Sequence, residues 1–445
     1  MFRYFPHTDT DIEAMKRSLG IKTIDELFED VPKGVFFSRQ YDVPEMLSET
    51  EIRTYFSQLA QMNQELVCFA GLGTYDHYSP AVIQSIISRQ EFLTAYTPYQ
   101  PEVSQGTLQY IFEYQSMIQT LTGMDVANAS MYDGATAAAE ACFMAEAITR
   151  RKKILISETV NPFVTDVVKT YAHFRGLDIV MIPSMAGVTD PDALQKLTDA
   201  QTAAVLVQKP NFFGIIEDIQ PLSGIIHAAG GILIENADIS TLAVLSTPKA
   251  DGADIAVGDC QSLGIPMAFG GPSLGYMATL KQHVRKLPGR ICGMSNDIDG
   301  KRAFVLTLQA REQHIRREKA NSNIWSNQSL MALYVTVYMT LLGPSGLHKV
   351  NELSYQGAHY LAERLEATGK FKLAFAKPFL KEFVMETLIP VPLMQAALLK
   401  QGFLGAIPLS EYGEQLDNLV AFAVTEKRTR AEIDRFVEVL EGLSW

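Results

Sequence analysis

The sequence has few cysteines and no long apolar run, and each shortage excludes a class of protein. Its four cysteines, Cys68, Cys142, Cys260 and Cys292, lie far apart and show no metal-ligand spacing. The pattern therefore predicts neither a disulfide framework nor a metal site. The most apolar long segment, residues 330–342, is too short to span a bilayer, so we expect no membrane association.

The sequence also lacks an excess of basic residues. It has 38 Lys and Arg against 50 Asp and Glu, which gives a formal net charge of -12. A surface that binds nucleic acid needs clustered Lys and Arg, so a nucleic-acid partner is not expected. Polar residues follow the first few positions without an apolar segment of the secretory type, and this pattern predicts a cytoplasmic protein.

The chain has 445 residues, of which 47% are hydrophobic, and it can bury a large core. Its pattern predicts three regions. Residues 1–75 are typical of a helical arm with little core of its own, which we expect to pack on something larger, such as a partner chain. Residues 76–329 form a large α/β domain. Residues 330–445 form a small α+β domain, whose first helix is stopped by Gly343 and Pro344.

Five short apolar runs mark the central region, and none shows the polar alternation of a half-exposed strand. Such runs indicate strands that are buried on both faces, and the spacing leaves room for a helix between them. The sequence therefore predicts a mostly parallel α/β sheet. The runs are residues 153–156, 179–182, 204–207, 231–234 and 254–257.

Residues 95–106 predict an ordered loop before a helix. Two prolines keep the segment extended, and Tyr96, Thr97, Tyr99 and Gln100 give it hydroxyl and amide groups. These side chains could pack on a neighbouring element, or the loop could be presented to a ligand. Composition alone leaves both alternatives open.

Asp133-Gly134 precedes an alanine-rich helix. Many enzymes that use pyridoxal 5'-phosphate (PLP) bind the cofactor phosphate at such a helix N-terminus, where free N–H groups and the helix dipole favour an anion. Asp133, however, stands where it would cap the helix itself, and its carboxylate would oppose a phosphate. We therefore expect capping at this position.

The segment 252–276 runs from a strand through a turn into the glycine-rich Gly270-Gly271-Pro272. Many PLP enzymes of the aspartate-aminotransferase fold present their Schiff-base lysine in this context. Here Gln261 takes the place of the lysine, and an amide cannot form a Schiff base. The nearest lysines, Lys209, Lys249 and Lys281, are expected to face solvent.

The cofactor ring also needs a carboxylate for its nitrogen, usually at the end of a preceding strand. The run that ends at Ile234 continues into Glu235-Asn236-Ala237-Asp238, which supplies two carboxylates. The sequence does not decide whether either has the required register.

Taken together, the residues resemble the alpha-subunit family of the two-chain glycine dehydrogenase (decarboxylating), the P-protein of the glycine cleavage system. The resemblance covers most of the chain and departs locally, where Trp325 replaces the family's usual cysteine. The segments that carry it are Tyr4-Phe5-Pro6, Tyr75 to Tyr78, Ala95 to Gly106, Thr122 to Ser130, Pro210 to Gly214, Gly270 to Pro272 and Arg311 to Arg317.

The resemblance implies an aspartate-aminotransferase-like fold (PLP fold type I) and a catalytically incomplete chain. The PLP would be held by a lysine of glycine dehydrogenase subunit 2, in an α2β2 assembly. The two chains together would decarboxylate glycine and transfer its aminomethyl group to the lipoyl arm of H-protein. The resemblance gives this chain no catalytic residue of its own. At the subunit interface that the resemblance implies, Tyr96, Thr97, Tyr99 and Gln100 are the candidates to lie beside the substrate or cofactor.

Two other functions remain open at this stage. The chain could be a self-sufficient PLP lyase or aminotransferase that uses an unexpected lysine. It could also be a non-catalytic scaffold or regulatory relative that has kept the fold and lost the chemistry.

Overall fold

The structure is a computed structural model, and it describes residues 6–37, 39–311, 313–320, 322, 324 and 327–444. Tyr4, Phe5 and Trp325, which enter the resemblance above, lie outside the described residues. The chain forms two compact units, residues 1–64 and 65–445. The predicted division into three regions, with boundaries at 75 and 329, stays a prediction.

The first unit contains two α-helices, α1 (Asp9–Leu19) and α2 (Glu49–Gln61), and a 3-10 helix over Ile24–Phe28. Each begins at a capping box, in which a Thr or Ser hydroxyl and an acidic side chain satisfy backbone N–H groups reciprocally. The local sequence therefore fixes where these helices begin. No described residue of this unit is buried.

The second unit is built around a seven-stranded sheet with the order β2-β10-β9-β8-β7-β3-β4. The strands of this unit are, in chain order, β1 (Val67–Cys68), β2 (Val126–Ala127), β3 (Lys153–Ser157), β4 (Asp178–Ile182), β5 (Ser184–Met185), β6 (Val188–Thr189), β7 (Thr202–Lys209), β8 (Ile232–Ala237), β9 (Ile255–Asp259), β10 (Gly275–Thr279), β11 (Ile291–Asn296), β12 (Arg302–Thr307), β13 (Phe371–Leu373), β14 (Glu382–Thr387), β15 (Phe403–Leu404), β16 (Ile407–Pro408) and β17 (Leu419–Ala423).

The five predicted strands correspond to β3, β4, β7, β8 and β9, and every pairing among them is parallel. Only β10 and β2 add antiparallel pairs at one edge. The prediction of a mostly parallel α/β sheet is confirmed. Because the carboxyl ends of parallel strands meet at one edge, residues that follow β7, β8 and β9 come together there.

Helices cover both faces of this sheet. On one face, α6 buries Ala137, Ala138, Ala139 and Ala141, whose small side chains allow close packing on the strands. The helices of the second unit are α3 (Ala81–Ile87), α4 (Gln90–Leu93), α5 (Gln105–Thr122), α6 (Gly134–Thr149), α7 (Pro162–Arg175), α8 (Pro191–Leu197), α9 (Gln220–Ala228), α10 (Gln313–Arg316), α11 (Ser329–Ala367), α12 (Val391–Lys400) and α13 (Arg430–Glu441).

The long helix α11 is interrupted at Gly343, which has φ 59° and ψ -174° and precedes Pro344. The sequence predicted a break at this place. By length and composition alone α11 could cross a membrane, but half of its apolar window is buried in the structure, which makes it weak evidence for a span.

The C-terminal part of the unit carries its own antiparallel sheet, in the order β13-β14-β17-β16. An aromatic cluster that includes Phe69, Phe403, Phe422 and Phe436 fills the space beneath it. Strand β14 begins at Glu382, which lies at the cavity described next. The small sheet therefore supplies one wall of the candidate site.

Candidate functional site

A cavity of about 620 Å³ opens at the carboxyl edge of the parallel strands. Its walls come from residues after β7, β8 and β9, from the first turn of α6, from the loop 72–75, and from the beginning of β14. In open α/β sheets this edge is the usual place for a ligand. The cavity is therefore the candidate functional site.

Gln261 lies in the wall of this cavity, just beyond β9, and is 7% exposed. Its amide oxygen accepts a hydrogen bond from the Tyr75 N–H at 2.8 Å, and its amide nitrogen donates to the carbonyls of Tyr75 and Ile265, each at 2.8 Å. Both ends of the amide are thus satisfied by backbone groups. The side chain ties the loop that contains Tyr75 to the turn after β9.

The N-terminus of α6 already holds carboxylates. Asp133 accepts from the Thr136 N–H at 2.7 Å and so caps the helix, as the sequence predicted. Asp259 accepts from the Gly134 N–H at 3.0 Å, the Gln261 N–H at 2.8 Å and the Ser273 hydroxyl at 2.5 Å.

Burial raises the pKa of Asp259, and the neighbouring Asp133 carboxylate raises it further, while the donated hydrogen bonds oppose the shift. Gly134 is required here because a Cβ would lie 2.7 Å from the Asp259 nitrogen. The helix start and the turn after β9 are therefore in close contact. A phosphate placed at this helix N-terminus would meet two carboxylates at short range.

Asp238 follows β8 and faces the same cavity. One of its oxygens lies 2.6 Å from the Lys381 ammonium, and the other accepts from the Ser262 hydroxyl at 2.5 Å. Burial alone would raise the pKa of Asp238, but the charge and hydrogen bond of Lys381 hold it below its usual value. The carboxylate is therefore already neutralised by a lysine of the same chain.

Lys381 is 3% exposed and also reaches His77, whose Nε2 lies 3.1 Å from the ammonium. The other ring nitrogen of His77 lies 2.6 Å from Glu426. Burial and the Lys381 charge lower the pKa of His77. Asp238, Lys381, His77 and Glu426 thus form one buried polar chain.

Glu382 lines the cavity next to these four polar residues. Its carboxylate accepts from the Tyr75 hydroxyl at 2.9 Å and from the Leu72 N–H. Burial raises the pKa of Glu382 to about 7. The residue joins β14 to the loop that Gln261 also holds.

The predicted loop residues do not line the cavity. Tyr96 is 72% exposed, Tyr99 is 43% exposed, and Thr97 is half-buried. The Tyr99 hydroxyl accepts from the Arg290 guanidinium at 3.2 Å, and that guanidinium lies 5.4 Å from the Tyr99 ring centre. The structure therefore separates the loop Tyr96–Gln100 from Gln261 within this chain, and its role at a subunit interface stays a prediction.

One expectation about lysines was wrong. Lys209 does not face solvent: it is 1% exposed, it contacts Asp251, and its ammonium lies 3.5 Å from Glu235. Lys249 is exposed and forms an ion pair with Asp125 at 2.6 Å, and Lys281 is also exposed. The sequence signal for burial of Lys209 is its place at the end of β7, where it follows the apolar run of residues 203–207.

The sequence also contained no indication that Lys381 and Glu382 line the cavity or that His77 contacts Lys381. They come from segments that are more than three hundred positions apart in the chain and meet only when the small sheet packs near β8. His77 lies in the Tyr75 to Tyr78 segment of the family resemblance, which was the one available signal. Among the residues that the structure describes, no group of three or more His, Cys, Asp or Glu side chains is arranged to hold a metal ion.

The family model for the glycine cleavage system P-protein matches residues 2–440 of this chain. The chain belongs to the glycine cleavage system P-protein family. It is 47% identical over 445 residues to a probable glycine dehydrogenase (decarboxylating) subunit 1 of Desulforamulus reducens, covering 99% of this chain and 100% of that protein. It is 49% identical to the protein of the same description in Carboxydothermus hydrogenoformans, with 99% of both chains covered.

A solved structure of a P-protein supports the same assignment. The crystal structure of glycine decarboxylase (P-protein) in inhibitor-bound form superposes with a TM-score of 0.90 at 43% identity, covering 99% of both chains. A glutamate decarboxylase of Lactobacillus brevis has a TM-score of 0.70 at 12% identity over 91% of this chain and 94% of that one, which shows a shared fold alone. The predictions of the family and of the PLP fold type I are confirmed.

P-protein membership supports the involvement of PLP, but the cavity of this chain does not fit that cofactor. Gln261 offers no amine, and Asp133 and Asp259 occupy the helix N-terminus where a phosphate would bind. The one lysine that lines the cavity, within the described residues, is Lys381, and it is paired with Asp238. Asp133, Asp259, Gln261, Asp238 and Lys381 are thus all paired within this chain, which does not fit a covalently held PLP.

The raised pKa of Glu382 allows the burial of this carboxyl group in the cavity wall to be tested. Between about pH 4.5 and 7 the folded chain retains a proton on Glu382 that the unfolded chain has lost, so stability falls as pH rises through that window. Glu382→Gln removes this pH dependence, which is at most about 1.4 kcal/mol in the free energy of unfolding per pH unit. Urea unfolding from pH 5 to 8 measures the difference.

Glu386→Gln is the matched control, because Glu386 lies on the same strand and is exposed. We expect its free energy of unfolding to follow that of the wild type at every pH. Equal pH profiles for Glu382→Gln and the wild type would contradict the assignment.

Proposed function

We propose that this chain is the subunit of a two-chain glycine decarboxylase that does not carry the cofactor, and that it acts with a lysine-bearing subunit 2 in an α2β2 assembly. The observation that carries the proposal is a pair of contacts in the wall of the cavity: the amide of Gln261 is held by backbone groups, and the Asp259 carboxylate accepts a hydrogen bond from the Gly134 N–H. A chain with these contacts needs its cofactor from elsewhere. The proposal is supported by the identity of 47% and 49%, over 99% of this chain, to proteins described as subunit 1.

In the proposed reaction, PLP on the partner supplies the electron sink for loss of carbon dioxide from glycine. This chain contributes walls and polar groups to the shared site. Tyr96, Thr97, Tyr99 and Gln100 are the candidates, since hydroxyl and amide groups can hold a small carboxylate while the closed interface excludes water. The aminomethyl group then passes to the lipoyl arm of H-protein. We place the assembly in the cytoplasm.

Arg290 supports this use of the loop. It is 4% exposed, and it contacts the hydroxyl and the ring face of Tyr99, whose side chain remains partly exposed. A buried guanidinium that contacts both the hydroxyl and the ring holds a partly exposed aromatic side chain in place. Such a group suits a site that is completed by a second chain.

The exchange of bicarbonate carbon into glycine tests the proposal. We expect no exchange from this chain alone or from subunit 2 alone, and full exchange when both are combined with lipoylated H-protein. Exchange by this chain alone would show a self-sufficient PLP enzyme. No dependence of the exchange on this chain would favour a scaffold.

The loop is tested in the same assay with Tyr99→Phe and Gln100→Ala. Loss of one hydrogen bond in the shared site, worth about 1.4 kcal/mol, should lower kcat/KM for glycine or for H-protein about tenfold. A packing role would instead change stability and leave the balance between kcat and KM as it is.

Tyr355→Phe and Gln201→Ala are the matched controls, because both residues are exposed and lie outside the loop. They should leave the exchange rate unchanged. Wild-type exchange rates for both loop variants would show that the loop has only a structural role.

A further inference from the structure

We propose that a second cavity, formed by α6 and α7, binds a small organic cation, in which a primary ammonium group is carried on an apolar ring or chain. The cavity is called the aromatic pocket below, after the four rings that line it, Tyr132, Phe143, Tyr171 and Phe174. The inference goes beyond the proposed function and does not depend on it, because every residue of the pocket belongs to the second unit of this chain.

The aromatic pocket has a volume of about 430 Å³. On α6 its wall is formed by Thr136, Glu140 and Phe143, whose spacing places them on one face of the helix. On α7 the wall includes Tyr171 and Phe174, which are one turn apart. Small-molecule sites have volumes of about 300 to 1,000 Å³ and combine apolar or aromatic walls with a few polar groups. The size and composition of the pocket are those of a ligand site.

Glu140 is the acidic group of the pocket and is only 5% exposed. Its carboxylate accepts a hydrogen bond from the neutral Ser322 hydroxyl, while Arg175 acts on it through its charge. Burial raises the pKa of Glu140 to about 7, although the Ser322 hydrogen bond and the Arg175 charge oppose the shift. A buried carboxylate of this kind is stabilised by a cation placed beside it.

The aromatic rings favour the same charge. The Phe143 and Tyr171 rings are stacked, with their centres 6.0 Å apart and 24° between their planes. The Arg175 guanidinium lies 4.7 Å from the centre of the Phe143 ring, so this wall already attracts one cation of the chain itself. Burial and the charges of Glu140 and Asp133 raise the pKa of Tyr171, which places these two carboxylates near its hydroxyl. Rings and carboxylates therefore act on the same space.

A ligand of another charge fits this arrangement less well. An anion would be attracted by Arg175 but repelled by Glu140 and Asp133. A neutral ring would fill the space and leave the Glu140 carboxylate without a charged partner. An ammonium group on an apolar body pairs with the carboxylate and places its body against the rings.

The test uses three probes that share one ring and differ in charge: benzylammonium, benzyl alcohol and benzoate. Each is titrated into the full chain in a calorimeter. Benzylammonium should bind with a Kd of about 1 mM or lower, at least tenfold below the Kd of either other probe. Equal affinities, tighter binding of benzoate, or no binding of benzylammonium up to about 10 mM would overturn the proposal.

Glu140→Gln keeps the size of the side chain and removes its charge, and it should weaken benzylammonium binding at least tenfold. Glu146→Gln is the matched control, because it makes the same change on α6 at a residue that does not line the pocket. Its Kd should stay within twofold of the wild-type value. Wild-type affinity in Glu140→Gln, or equal losses in both variants, would contradict the role of Glu140.

Phe174→Ala tests the rings without risk to the fold, because Phe174 is 83% exposed. It should weaken benzylammonium binding about threefold. An unchanged Kd in this variant would show that the ligand does not use the aromatic wall, and the proposal would fail.

Arg175→Gln decides the sign of the ligand charge. If the pocket binds a cation, removal of a nearby positive charge should leave the benzylammonium Kd unchanged or lower it. If the pocket binds an anion, the same change removes the group that attracts it. Weaker binding in Arg175→Gln together with normal binding in Glu140→Gln would identify an anion site and overturn the proposal.

Discussion

The site is built around the N-terminus of α6, where N–H groups of the first turn donate hydrogen bonds to two carboxylates of the same chain. These N–H groups can stabilise only a limited amount of negative charge. Asp133 caps the helix, and Asp259 reaches across from the end of β9 to the Gly134 N–H. The contact is close because Gly134 has no Cβ. The helix N-terminus at the edge of the parallel sheet, which could bind an anionic ligand, instead binds the Asp259 carboxylate and so connects α6 to the end of β9.

The other polar groups of the cavity follow the same principle. The Asp238 carboxylate is balanced by Lys381, and Gln261 satisfies backbone groups of Tyr75 and Ile265 where an amine would be needed for covalent chemistry. Buried charges are tolerated when they are paired, and paired charges are not available to a ligand. The polar groups of the cavity therefore pair with one another, as the proposal of a cofactor on a second chain requires.

Much of this could be predicted from the sequence, for identifiable reasons. Strands buried on both faces leave continuous apolar runs, and the partly buried edge strand β4 has a similar run, so the five parallel strands could be located from residue type alone. Gln261 could be found because its glycine-rich surroundings are local in the chain. Lys381 and Glu382 could not, because they reach the cavity only through packing of the small sheet, and the burial of Lys209 was missed because its partners Glu235 and Asp251 come from other segments. Tyr99 of the loop Tyr96–Gln100 contacts Arg290, which is far away in the chain, and no local pattern indicates that contact.

The most direct test of the account is to locate the cofactor in the assembled enzyme. Borohydride reduction of the two-chain complex with PLP bound, followed by peptide mass mapping, shows which lysine carries the phosphopyridoxyl group. The account predicts one modified lysine in subunit 2 and none in this chain, Lys381 and Lys209 included. A phosphopyridoxyl group on any lysine of this chain, at an amount comparable to the number of active sites, would contradict it.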